Sequence, residues 1–171
     1  MKNLKLYMIT GIVFVSVLGT LLHFAYNFSG NNIAIGLFTP VNESIWEHTK
    51  LIFFPMLIYS LYLNKKTGKT YNCINSAMLS GALCGVSIII VLFYTYSGII
   101  GFDVAFADIS IFYITVVTVF YIVYKLATSC KADNYNSFLR ALIILIICLF
   151  IIFTFSPPNI PLFNNPSITS K

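Results

Sequence analysis

Five stretches of this chain are apolar over a length that a lipid bilayer calls for and a small water-soluble domain does not, at residues 6–28, 40–63, 73–99, 104–128 and 138–155. Crossing a hydrocarbon core of roughly 30 Å takes about 20 helical residues at 1.5 Å each. Only 9% of the 171 residues are charged and 58% are hydrophobic, whereas a soluble domain carries about 25% charge. A chain so short has too little interior to hide that much apolar surface from water. The expected fold is all-α: an integral membrane helical bundle of about five transmembrane helices, one domain over 1–171, with the lipid bilayer as its partner.

The second stretch is the unusual one. Its uninterrupted apolar part, Leu51 to Leu63, would cover about 20 Å of the roughly 30 Å core. Extending it back to Thr39-Pro40, a capping residue followed by proline at the first helical position, supplies the missing length. The extension carries Asn42, Glu43, Glu47, His48 and Lys50 toward the membrane. Pro55 is expected to kink the helix, and Trp46 to sit at headgroup level.

Positive charge sets the orientation. Lys2, Lys5, Lys65, Lys66, Lys69, Lys125, Lys131 and Arg140 fall at alternate ends of the runs, and only Lys50 and Lys171 fall at the others. The N-terminus is therefore expected in the cytoplasm and the C-terminus outside, a parity that five spans satisfy. The first run is longer than the 7–15 residues of a secretory signal and no A-x-A-like cleavage site follows, so it reads as a retained helix. A net charge of +5 does not indicate nucleic acid, because the basic residues form no stripe. Cys73, Cys84, Cys130 and Cys148 have neither C-x-x-C nor zinc spacing and read as small apolar packing residues. Ala77, Gly81 and Gly85 form a small-xxx-small stripe suited to close helix packing in the bundle or in a dimer. Beyond Phe155 the prolines forbid helix, leaving an extended tail over 156–171. Leu162 and Phe163 can tuck it onto the bundle, or it can hang loose.

The rare ionisable groups are distributed unevenly. His23, His48, Glu43, Glu47, Asp103 and Asp108 all map to the outer ends, and only Asp133 to the inner. Ser16, Thr20, His23 and Asn27 share one face of the first helix, a face expected to look inward because charge facing lipid is costly. Glu43, Glu47 and Lys50 share a side of the second, next to Ser44 and His48. Asp103 is placed to cap the fourth helix. Asp108 lies deeper, with Thr115 two turns below it.

The run Pro40-Val41-Asn42-Glu43-Ser44-Ile45-Trp46-Glu47-His48-Thr49-Lys50, with Leu22 to Gly30 upstream and Ser156 to Phe163 downstream, resembles a family of small bacterial multi-pass membrane proteins classed as a domain of unknown function. The resemblance spans nearly the whole chain. It implies a bacterial membrane location and carries no activity.

Three functions suit this pattern. The leading one is a membrane-embedded enzyme, open to the outside, using a divalent metal as cofactor. His23, Glu43, Glu47, His48 and Asp108 are the candidate ligands, Glu47 and His48 the candidate catalytic groups, and His23, Asn27, Glu43 and Asp108 the candidate binding groups. No H-E-x-x-H or E-x-x-H spacing is present. The second is a transporter component or an ion- or proton-coupled carrier, which with five spans calls for a homo-oligomer or partner subunit. The third is an accessory membrane protein whose outer polar residues only stabilise the bundle.

Overall fold

Residues 2–164 are described by the computed structural model; they form six α-helices and two short 3-10 turns, with no strand among them. The helices are α1 (Lys2–Phe28), the one-turn α2 (Ile33–Gly36), α3 (Ile45–Thr67), α4 (Ile74–Ile100), α5 (Ala105–Ser129) and α6 (Asn136–Phe155). Four of them, α1, α4, α5 and α6, are long and apolar enough to cross a membrane. At 23 residues, α3 is about 35 Å long, of spanning length but less apolar. The outward faces of the bundle carry Val17, Leu21, Ile109, Val117, Ile144 and Leu145, all more than half exposed. Large contiguous apolar surface of this kind marks contact with lipid or protein rather than water.

The helices α1, α3, α4 and α5 close into a ring, each touching the next, and α6 lies outside against α4 and α3. The most enclosed helix is α3, with Ile52, Phe53, Met56 and Leu63 fully buried. It meets α5 through Phe120 and α4 through Ala77, Met78 and Ala82. The small-residue stripe of α4 does pack inside the bundle: a Cβ on Gly85 would lie 3.0 Å from Ile52, and one on Gly81 would collide with Val123 of α5.

Several sequence expectations need correction. The helix expected from Pro40 starts instead at Ile45, because Ser44 is the N-cap: its hydroxyl accepts from the Glu47 amide, and Asn42 Oδ1 accepts from the Ser44 amide at 2.9 Å. Ser44-x-x-Glu47 is itself a helix-start signature and outcompetes Thr39-Pro40. Cys73 and Cys130 are not mere packing residues; their Cα atoms are 5.3 Å apart and they form a disulfide joining the start of α4 to the end of α5. Trp46 is buried, stacked among Phe150, Phe153 and Phe163. The last contact shows the tail folded back as far as Asn164; residues 165–171 lie outside the described part. On α1 the buried stripe is Leu4, Met8, Gly11, Val15 and Gly19, while Thr20 and Asn27 are exposed.

The helix α3 passes through Pro55 without interruption. Proline has no N–H for the carbonyl four residues back, that of Leu51, and this carbonyl faces Gly19 of α1. A Cβ on Gly19 would lie 2.6 Å from Leu51 O and 2.6 Å from the Phe112 ring of α5. Gly98 of α4 has open space around it. Gly19→Ala is therefore expected to destabilise the bundle by about 1–3 kcal/mol through overpacking. Gly98→Ala, by restricting only the unfolded chain, is expected to be neutral or stabilising by up to about 1 kcal/mol. Thermal unfolding of the two variants in detergent checks the contrast.

Candidate functional site

The segment between α1 and α3 folds back over the bundle end and is held there by a buried ion pair. Lys50 and Glu47, 0% and 2% exposed at their side chains, meet at 2.6 Å. The ammonium also donates to the carbonyls of Gly36 at 3.0 Å and Thr39 at 3.4 Å, and to Thr154 Oγ1 of α6 at 2.7 Å. The Glu47 carboxylate accepts from the Val41 amide at 3.1 Å and from the Thr154 hydroxyl at 3.1 Å. Both charges are thus surrounded by partners, as buried charges must be. Glu47 has its acceptor capacity committed here, and lies apart from the other candidate residues.

Those others converge on the α1 and α5 side. His48, in the first turn of α3, has Nδ1 3.0 Å from the Ser44 carbonyl and Nε2 3.2 Å from Glu43 Oε2. A carbonyl only accepts, so Nδ1 carries a proton and donates it to Ser44. Nε2 then either carries a second proton, giving an imidazolium paired with Glu43, or turns a lone pair toward the carboxyl, which requires a proton on Glu43 or a cation between them. The His48 ring holds the Glu43 carboxyl below its ordinary pKa by hydrogen bonding, against the opposing effect of burial. The His23 ring, on α1, lies 5.3 Å from that of His48. Its Nδ1 is buried with no hydrogen-bond partner. One ligand atom from each of His23, Glu43 and His48 lies within 4.8 Å of the other two.

A cavity of about 290 Å³ opens beside this trio, lined also by Asp103 and Asp108 and walled by apolar side chains including Ile89, Phe93 and Phe112. Asp103 does not cap α5: the N-cap is Val104, with no side-chain bond to the helix. Instead the Tyr96 hydroxyl, near the end of α4, bridges the two acids, 2.8 Å from Asp103 and in close contact with Asp108. Sequence reasoning missed Tyr96. Its signal was the short link over 101–104, where Gly101 ends α4 in the left-handed conformation at φ 86° and turns the chain straight into α5. It also missed Thr154, a lone hydroxyl in an apolar helix. Asn27 stands exposed and outside the cavity.

Residues 1–171 match the model of a family described as a family of unknown function (DUF6512). The chain belongs to this family. No curated protein and no solved structure matches it.

What the arrangement can do therefore follows from its donors alone. Two imidazoles and a carboxylate suit zinc or another borderline divalent ion. Two ligands bound at 2.0–2.1 Å to a tetrahedral zinc lie about 3.3 Å apart, close to the 3.2 Å between His48 Nε2 and Glu43 Oε2. The bond from His48 Nδ1 to a backbone carbonyl is the kind of support that fixes the tautomer of a metal-binding histidine.

The ion pair makes its own prediction. Lys50→Met alone leaves Glu47 buried without its cation and is expected to cost about 3–5 kcal/mol, whereas Lys50→Met combined with Glu47→Leu is expected to recover most of that loss. Thermal unfolding of the single and double variants measures the difference.

Proposed function

We propose that this chain is a multi-pass protein of a bacterial cell membrane, and that its outer end is the site of a metal-dependent enzyme. In this reading α3 is a fifth spanning helix, the basic ends of the helices face the cytoplasm, and His23, Glu43 and His48 hold a divalent cation with a coordination position open to the cavity. The carrying observation is the facing of His48 Nε2 and Glu43 Oε2 at 3.2 Å while His48 Nδ1 is committed to Ser44, beside an unpartnered His23 Nδ1. Three protein ligands with one open position is the pattern of catalytic rather than structural zinc. A water on such an ion is acidified toward neutral pH and becomes a nucleophile. Asp108, lining the same cavity, is the group positioned to exchange protons with it.

A carrier needs polar groups that continue across the membrane. Below His48 the described core is mainly apolar instead, with Phe53, Met56, Val116, Val119 and Phe120 buried, and its buried hydroxyls Thr115, Tyr59 and Ser60 carry no charge. The Glu47–Lys50 pair is closed on itself and on Thr154. These features favour a site reached from one side over a conduit.

Purified protein is expected to contain about one zinc, manganese or similar ion per chain by elemental analysis, lost in His48→Ala and His23→Ala but retained in Gly98→Ala, which has open space around it. A parent protein that stays metal-free after exposure to these ions would end the metalloenzyme reading.

The orientation has a separate consequence. The Cys73–Cys130 bond lies at the basic end, beside Lys69 and Lys131, and the cytoplasm ordinarily keeps thiols reduced. Thiol trapping before lysis is therefore expected to find the two as free thiols in growing cells, with the bond forming in air after purification. A bond already complete in cells would favour the opposite orientation.

A further inference from the structure

A second cavity, about 330 Å³, lies between α1 and α5 and shares His23, His48, Leu51, Asp108, Ile109 and Phe112 with the first. Its remaining lining comes from Gly19, Thr20, Phe24 and Tyr113. Thr20, Phe24, Ile109 and Tyr113 are exposed on the flank of the bundle, among Val17, Leu21, Phe106 and Ile114, which are also exposed. This flank is the surface that faces lipid if the chain spans the membrane. The slot therefore runs from the hydrocarbon phase to the two histidines and Asp108. Across it the hydroxyls of Thr20 and Tyr113 meet at 3.0 Å, the one polar contact between α1 and α5 recorded among the described side chains. Its volume lies within the 300–1,000 Å³ range of small-molecule sites.

The two joined cavities differ in character. The slot carries no ionisable acid or base at its open end, where Phe24 and Ile109 stand beside the Thr20 and Tyr113 hydroxyls, while the inner cavity collects three carboxylates, Glu43, Asp103 and Asp108, and two imidazoles. Against three acids a divalent ion leaves the inner end no better than neutral, so it disfavours an anionic group and offers acceptors to hydroxyl or amine donors.

We infer that the ligand of this site is lipid-borne: an amphiphile whose chain occupies the slot between α1 and α5 and whose hydroxyl- or amine-bearing head, without net negative charge, enters the cavity at His23, His48 and Asp108. The inference rests on the proposed reading of that cavity as an enzyme site and names the substrate class it takes.

The test uses the purified full chain in phosphatidylcholine nanodiscs, with two probes of the same chain length, 1-oleoylglycerol and 1-oleoyl lysophosphatidic acid. Thr20→Trp fills the mouth of the slot from an exposed position, and Tyr113→Trp does so from the other wall should the first fail to fold. Val17→Trp, exposed on α1 but outside both cavities, is the control. The parent and Val17→Trp are expected to bind 1-oleoylglycerol equally, and the slot variant about tenfold more weakly; the lysophosphatidic acid is expected to bind the parent about tenfold more weakly than the uncharged probe. Undiminished binding by a slot variant of unchanged melting temperature, or tighter binding of the anionic probe, overturns the inference. Metal content measured on the same samples separates the two readings. Metal-free protein with the expected lipid pattern ends the metalloenzyme reading and leaves the slot, while metal-loaded protein indifferent to Thr20→Trp does the reverse.

Discussion

The ion pair between Lys50 and Glu47 is the constraint on which the outer end of this protein depends. Burying two charges costs several kcal/mol per ion unless each is fully surrounded by partners. The partners here come from two separate parts of the chain: the carbonyls of Gly36 and Thr39 and the amide of Val41 in the stretch after α2, and the hydroxyl of Thr154 on α6. Satisfying one pair of charges therefore pins the segment after α2 down onto α3 and draws α6 against the same point. Glu43 lies in the few residues between Val41 and the Ser44 cap, so its approach to His48 follows from that pinning. The two groups are taken up by each other and by these neighbours, and together they decide where the loop that carries Glu43 sits.

Sequence patterns conveyed the helices well and the site only in part, for physical reasons. Long apolar runs leave little freedom in where spanning helices lie, so α4 and α5 fall within a residue of their expected bounds. The start of α3 was harder, because Thr39-Pro40 and Ser44-x-x-Glu47 are both helix-start signals, and the second prevails through the Asn42 and Ser44 side-chain bonds. Residue type and end of helix were enough to nominate His23, Glu43, His48 and Asp108, which line one cavity. They were not enough to separate Glu47, which is one residue from His48 but turned by about 100° around the helix and so faces Thr154 instead. The Cys73–Cys130 pair has no local mark, and Tyr96 only the indirect one of the short link that follows α4. They meet their partners only through the antiparallel packing of α4 on α5, at opposite ends of the two helices.

Polarity along the bundle follows the same logic. At the basic end, Ser76 donates to Asp133 and Asn75 to Asn136, so polar side chains there are spent on joining the α3–α4 and α5–α6 connections. At the other end the two histidines and three acids gather around open space instead. A structural role predicts the first arrangement, in which polar groups satisfy one another. A cluster that leaves an imidazole nitrogen unpartnered and lines a cavity has been kept from that closure.

What keeps it open is backbone geometry one helical turn away. Pro55 frees the Leu51 carbonyl, and Gly19 lets α1 come close enough to cover it, with Phe112 of α5 pressed onto the same glycine. This three-helix contact involves Gly19, Leu51 and Phe112, and the site residues stand about one turn from each: His23 after Gly19, His48 before Leu51, and Asp108 before Phe112. A helix rises about 5.4 Å per turn and returns side chains to the same face. Tight packing at the first level therefore carries the three ionisable side chains toward one another at the second. The proline and the glycine, neither of which has an ionisable group, are in this way the residues that set the distance between the ones that do.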